Sequence, residues 1–229
     1  LVTCFLPKED KSENGKAIGI DLGVKNQLAF SNGVKIQYSV PMSQRLRRLY
    51  HFFSRSKPGR NRDKLLLKIK KEYQKENNKK KDIINKVAHY ITNNYSRVVF
   101  QGDNIRSWQK LFGKKIYETS IGGLRKALKR KASTPVEVGR FVKTTGVCPV
   151  CRRRVKLELS DRELACPSCN SAFDRDVASA IVILKEGLSL WNVGETPGDE
   201  NASAMMEYLA SIPGVSVSMN REAPSVRAG

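Results

Sequence analysis

Apolar positions fall along the chain in runs of two periods. Ala17, Ile18 and Ile20 lead a strand-like stretch over residues 16–30 that contains Asp21 and Gly23, and Val34–Val40 alternates apolar and polar residues as a second strand. Ser31-Asn32-Gly33 between them signals a hairpin, because Asn-Gly supplies the positive φ that a tight turn needs. The period changes at Pro41, after which Leu46, Leu49, Tyr50 and Phe53 recur at helical spacing. A basic segment, Ser54–Arg62, is broken by Pro58-Gly59. Beyond it Leu66, Ile69, Tyr73, Ile83, Val87 and Ile91 mark one long helix over Asp63–Asn94. Arg97–Phe100 reads as a short strand ending at Gln101-Gly102-Asp103, Ile121–Arg130 as a helix, and Val136–Phe141 as a strand. Val177–Leu188 is a last helical run. Hairpin, helices, strand, helix and strand predict an α/β sheet with helices on its faces.

Charge changes this picture. The 229 residues hold 42 Lys+Arg against 22 Asp+Glu, a formal charge of +20, which predicts a polyanionic partner. With 40% hydrophobic residues the chain can build a core, which excludes a wholly disordered basic tail. The last 37 residues carry five acids and two bases, so residues 1–192 carry +23. Their Gly, Pro, Ser and Asn content predicts a flexible C-terminal tail over 193–229, with one short apolar patch from Met205 to Leu209. In the basic body, Lys57, Arg60 and Arg62 and the lysine-rich middle of the long helix (Lys79, Lys80, Lys81) are candidate phosphate contacts. No run approaches the length of a membrane span, and the cysteine usage fits an intracellular protein of the cytoplasm or nucleoid.

Cys148-Pro-Val-Cys151 and Cys166-Pro-Ser-Cys169 stand 14 residues apart. Each knuckle presents two thiolates on one side of a tight turn, and two knuckles close a tetrahedral site of the kind structural zinc fills. Four protein ligands leave no open position for water, so this metal does no chemistry. Val155, Leu157 and Leu159 alternate enough to form the hairpin of a zinc ribbon, and Arg152, Arg153 and Arg154 beside the first knuckle suit phosphate. Cys4 stands apart as a buried thiol. His51 and His89 have no ligand-like partner one helical turn away, so histidine catalysis is not expected.

Acids follow two strands, Asp21 and Asp103, and Asp174 and Asp176 open the last helix. Each has a local explanation as a turn residue or helix cap, and spacing alone does not bring these segments together.

At these residues the sequence resembles a family. The strings IGIDLGVKN (18–26), NKKKDIINKVAHYI (78–91), QGDNIRSWQK (101–110), both cysteine knuckles and DRDVASA (174–180) are similar, in order, to the nuclease half of TnpB, the transposon-encoded relative of type V CRISPR effectors. The resemblance runs from about Ala17 to Leu188. It implies a RuvC (RNase H-like) fold with an inserted four-cysteine zinc ribbon, a guide RNA, and Mg²⁺-dependent cleavage of target DNA. It implies Asp21, Asp103 and Asp176 as the catalytic, magnesium-binding acids, with Asp174 as helix cap. Family members usually carry a glutamate where Asp103 stands, and Gln101 is the other residue that an alignment could place there. The resemblance also divides the chain: the end of a preceding β-barrel and linker (1–15), nuclease core (16–143), zinc ribbon (144–172), last helix (173–192) and tail (193–229), with the remainder of a longer protein N-terminal to Leu1. Three readings follow: a metal-dependent RNA-guided DNA endonuclease, a nuclease-impaired RNA-guided DNA-binding protein resembling a repressor, and a zinc-ribbon binding module without a guide.

Overall fold

Ile18, Ile20 and Leu22 alternate with Ala17, Gly19 and Asp21, so one face of this strand is apolar and the other carries two small residues and an acid. In the computed structural model, which describes residues 15–158, 160–189 and 202–219, they form β1 (Ala17–Leu22). The single stretch expected over residues 16–30 is two strands. Residues 23–27 turn the chain, held by the Gln27 side chain, which donates to the Val24 and Lys25 carbonyls and accepts from the Tyr38 N–H at 2.7 Å. β2 (Leu28–Phe30) then returns antiparallel to β1, and the Asn32-Gly33 turn leads into β3 (Val34–Tyr38). Gly33 adopts φ 89°, the conformation for which glycine serves there.

α1 (Gln44–Arg55) begins at Ser43, whose hydroxyl accepts from the Leu46 N–H. α2 (Arg60–Asn94) is one continuous helix of 35 residues. Its C-terminal half buries Ile83, Val87 and Ile91 against the apolar face of the sheet. β4 (Arg97–Gln101) pairs parallel to β1. α3 (Ile105–Thr119) and α4 (Ile121–Lys131) return the chain to β5 (Thr134–Val138), parallel to β4. The ribbon follows, with β6 (Glu163–Ala165) and β7 (Ala172–Asp174) paired antiparallel across the second knuckle. The hairpin expected in the connecting segment thus brackets Cys166–Cys169 instead; of its expected residues, Leu159 lies outside the described residues. α5 (Arg175–Gly187) crosses the opposite face of the sheet from α2 and α4.

β1, β2 and β3 form an antiparallel meander and β4 and β5 add in parallel beside β1, with helices on both faces. This is the RuvC/RNase H-like topology with an inserted four-cysteine ribbon. The C-terminal segment departs from expectation. α6 (Ala202–Ala210) and β8 (Val215–Met219) are packed structure and not a flexible tail over 202–219. Ala202, Met205 and Leu209 recur at three- and four-residue spacing and bury in the main core, and Tyr208 stacks on Tyr90 at 4.5 Å. β8 pairs antiparallel with β3 from Val34–Met219 to Tyr38–Val215, covering an otherwise open edge. Cys4, the expected end of a barrel at 1–15 (save Gly15) and residues 190–201 and 220–229 lie outside the described residues. No helix among the described residues is long and apolar enough to cross a membrane.

Candidate metal centres and nucleic-acid surface

Glycines set the height of α5 above the sheet. A Cβ on Gly19 would stand 2.7 Å from Leu184 Cβ and closer still to the Ala180 carbonyl oxygen, and one on Gly187 would clash with Val99. With glycine at both points, the helix lies directly on β1 and β4. Asp21 is on the face of β1 that α5 covers, two residues beyond Gly19. Asp176 is in the first turn of α5. Asp174 precedes it as N-cap, its Oδ1 accepting from the Asp176 and Val177 N–H groups, while Lys35 Nζ binds its Oδ2 at 2.6 Å. The cap therefore leaves Asp176 free for another role. The Asp176 carboxylate accepts at 2.6 Å from the Asn26 amide, which Gln37 in turn holds at 2.6 Å. Asn26 closes the string IGIDLGVKN, but nothing in its spacing announced this bond.

Electrostatics couple the acids. Burial first, then the charges of Asp176 and Asp103, push the Asp21 carboxyl up to about 8, against partial relief from Arg175 and the Leu22 N–H. Asp103, just past β4, is also raised by burial, with Arg125 opposing. Arg125 donates to the Asp103 carbonyl oxygen and fixes the backbone there. Among the described residues the four cysteines are a group close enough to share a metal as they stand, and the three acids are not. Gln101, the other candidate for this position, has both ends of its amide occupied: Nε2 donates to the Val142 carbonyl at 2.7 Å and Oε1 accepts from Thr144 at 2.9 Å. It pins the segment leading to the ribbon.

The four cysteine sulfurs lie within 4.8 Å of one another, with Cys148–Cys169 and Cys151–Cys166 both at 3.5 Å. Tetrahedral zinc with bonds of about 2.3 Å separates its sulfurs by about 3.8 Å, so this donor set fits a structural zinc. Burial works against the Cys169 thiolate, yet the Ser171 hydroxyl and N–H, with the neighbouring thiols, bring Cys169 down to about 6. The ribbon and α5 share a core in which Cys148, Leu164 and Phe173 pack on Val177, Ala178 and Ile181. Lys185, buried on α5, reaches the first knuckle and donates to the Pro149 carbonyl at 3.0 Å. Its charge lies beside Cys148. A lysine in an apolar helical run gave no sequence signal for that contact.

Residues 3–106 match the family described as "probable transposase", and residues 122–183 match the "Cas12f1-like, TNB domain". Together the two matches support a TnpB-family protein. No curated protein matches it. Among solved structures, the cryo-EM structure of a Cas12f1–sgRNA–target DNA complex contains a similar chain. The two share 17% identity at a TM-score of 0.45, over 80% of this chain and 52% of that one. The chain thus spans about half the length of that relative.

The basic residues divide by environment. Lys57, Arg60, Lys79, Lys81 and Arg154 are exposed. Lys80 is not a surface phosphate contact: it is 3% exposed, with its ammonium 3.4 Å from the Tyr117 ring centroid. It occupies the inner face of α2, one turn from buried Glu76, which the all-polar pattern of that stretch concealed. Arg62 donates to the Phe53 and Ser56 carbonyls at 3.2 and 2.6 Å and stacks over Phe53, clamping the turn between α1 and α2. Arg152 pairs with Glu186 at 3.4 Å, and Arg153 donates to Ser168 at 3.2 Å.

Proposed function

We propose that this chain is the nuclease half of an RNA-guided, metal-dependent DNA endonuclease of the TnpB type. The observation that carries the reading is electrostatic: the charges of Asp176 and Asp103 both reach Asp21, on the face of β1 beneath α5, and raise its proton affinity. Mutual repulsion of half-buried acids is costly unless cations occupy their midst. In this reading Asp21, Asp103 and Asp176 hold Mg²⁺, and Asn26 keeps the Asp176 carboxylate turned in one direction. When bound, a pair of such ions would activate water and steady the leaving oxygen of a phosphodiester. Residues 16–143 and 173–192 form the catalytic core, and residues 144–172 hold a structural zinc through Cys148, Cys151, Cys166 and Cys169. Family membership supports a guide RNA and a DNA target as partners. Exposed Lys57, Arg60, Lys79, Lys81 and Arg154 supply phosphate contacts, with Arg153 at the ribbon.

The test is Mg²⁺-dependent cleavage by the full-length protein with its native RNA. Asp21→Ala or Asp176→Ala abolishes cutting while RNA binding persists; cutting that survives either change overturns the reading. A second reading has its own observation. Asp103 is about 1.5 Å shorter in reach than glutamate, one C–C bond, and its backbone is held by Arg125. If wild type binds its target without cutting and Asp103→Glu restores cleavage, the protein is a nuclease-impaired RNA-guided DNA-binding protein.

A further inference from the structure

α2, α3 and α4 enclose a cleft of about 650 Å³ with Asp103 at its edge. Its volume is that of a site for one small ligand. Arg106, Arg125 and Lys126 line it, and Asp103 is the single acid among its lining residues. Arg106 and Lys126 are exposed and make no ion pair among the described residues. Beneath the wall lies Lys80, whose buried ammonium has no hydrogen-bond acceptor. Glu76 and Glu118 are near enough to be felt, but neither bonds it. Burial lowers the proton affinity of this amine, which rests on the Tyr117 ring, so the positive charge of the cleft comes from Arg106, Arg125 and Lys126.

The wall also offers flat apolar surface. Tyr73 and Tyr117 face the cleft with ring centroids 5.9 Å apart, tilted by 38°. Gly122 and Gly123 belong to the first turn of α4, which has no side-chain cap. Cations for a phosphate beside aromatic faces for a base are the combination by which proteins hold unpaired strands. A duplex keeps its bases stacked inward and could not use the tyrosines.

We propose that this cleft binds one nucleotide unit of a single-stranded nucleic acid, its phosphate on Arg106, Arg125 and Lys126 and its base against Tyr73 and Tyr117. The proposal deepens the nuclease reading and rests on it for the role of Asp103: of the three acids this one lines the cleft, so a strand held there runs past it.

The test is binding without turnover. Anisotropy of labelled oligothymidine and oligouridine is measured with the full chain in Mg²⁺-free buffer without chelator, so that zinc is kept, across a range of salt. Arg106→Gln with Lys126→Gln should weaken binding about tenfold at low salt and flatten the slope of log affinity against log salt by about 0.7 per lost phosphate contact. Tyr73→Leu should weaken an intact strand about tenfold and an abasic strand hardly at all. Preference for either sugar identifies which strand occupies the cleft. The inference is overturned if Arg48→Gln with Lys68→Gln, an equal charge change away from the cleft, costs as much. It is also overturned if duplex DNA competes as well as a single strand. Arg106 and Lys126 are exposed, so the double variant keeps the fold and decides the matter even if Tyr73→Leu does not. Since no cleavage occurs without Mg²⁺, a failure here leaves the tests of the three acids standing, and an inactive nuclease leaves this result standing.

Discussion

Replacing Gly19 by alanine tests the link between packing and the acid site. The new methyl would lie 2.7 Å from Leu184 Cβ and closer to the Ala180 carbonyl oxygen, whereas ordinary contact begins near 3.4 Å. Backbone carbonyl and helix cannot rotate away as a flexible side chain could, and the carbonyl contact is the tighter one, so α5 must retreat by about 1 Å. Alanine recovers roughly 0.5–1 kcal/mol of backbone entropy in a strand. Overpacking of this kind costs about 1–3 kcal/mol and outweighs that gain. The same retreat carries Asp176 away from Asp21, and a misplacement of about 1 Å can cost on the order of 10²-fold in rate. Urea unfolding gives the stability change; Mg²⁺ titration and cleavage by the full-length protein give the site's response. Gly113→Ala is the control, because a Cβ there meets nothing within 4 Å. It should be neutral or stabilising. A Gly19→Ala protein as stable as wild type, with unchanged Mg²⁺ affinity, would refute the claim that glycine sets the height of α5.

Further outcomes are expected from charge. Asp21 has a folded-state carboxyl raised to about 8, so the folded protein holds a proton that the unfolded chain releases near pH 4. Metal-free stability therefore falls as pH rises between those values, by up to about 1.4 kcal/mol per unit, and Asp21→Asn removes the fall; parallel urea curves from pH 4 to 8 check this. Lys185→Met deletes the buried cation at the first knuckle and should weaken zinc about 10–100-fold in a chelator competition, with Lys185→Arg retaining part of the affinity. Zinc removal, or Cys148→Ser, should loosen the core shared by the ribbon and α5, seen as hydrogen exchange over Val177–Ile181. Lys79→Gln with Lys81→Gln should weaken nucleic-acid binding and reduce its salt dependence, whereas Lys80→Gln should act mainly on stability.

Local spacing carries some of this protein without help. The Asn-Gly turn, the strands at Val34 and Arg97, the long helix and the helix after the second knuckle are legible because their period or turn chemistry is set within a few residues. The four cysteines are legible for the same reason: two knuckles need only their own spacing to present paired thiolates. The aspartates are different. Position along the chain gave each a local role, and only resemblance to a family singled out Asp21, Asp103 and Asp176 together. Their electrostatic coupling depends on β1 and β4 lying side by side and on α5 descending onto Gly19, contacts between segments far apart in sequence. Long-range packing likewise decided that Lys80 turns inward under Tyr117, that Asn26 reaches Asp176, and that Lys185 reaches the zinc knuckle. It also decided the C-terminal segment. Its weak apolar stripe and short alternating run have little preference of their own, and they become α6 and β8 because β3 offers an edge and the core accepts Met205 and Leu209. Sequence fixes what depends on neighbours along the chain; the tertiary structure settles whatever depends on which face a residue shares with a distant segment.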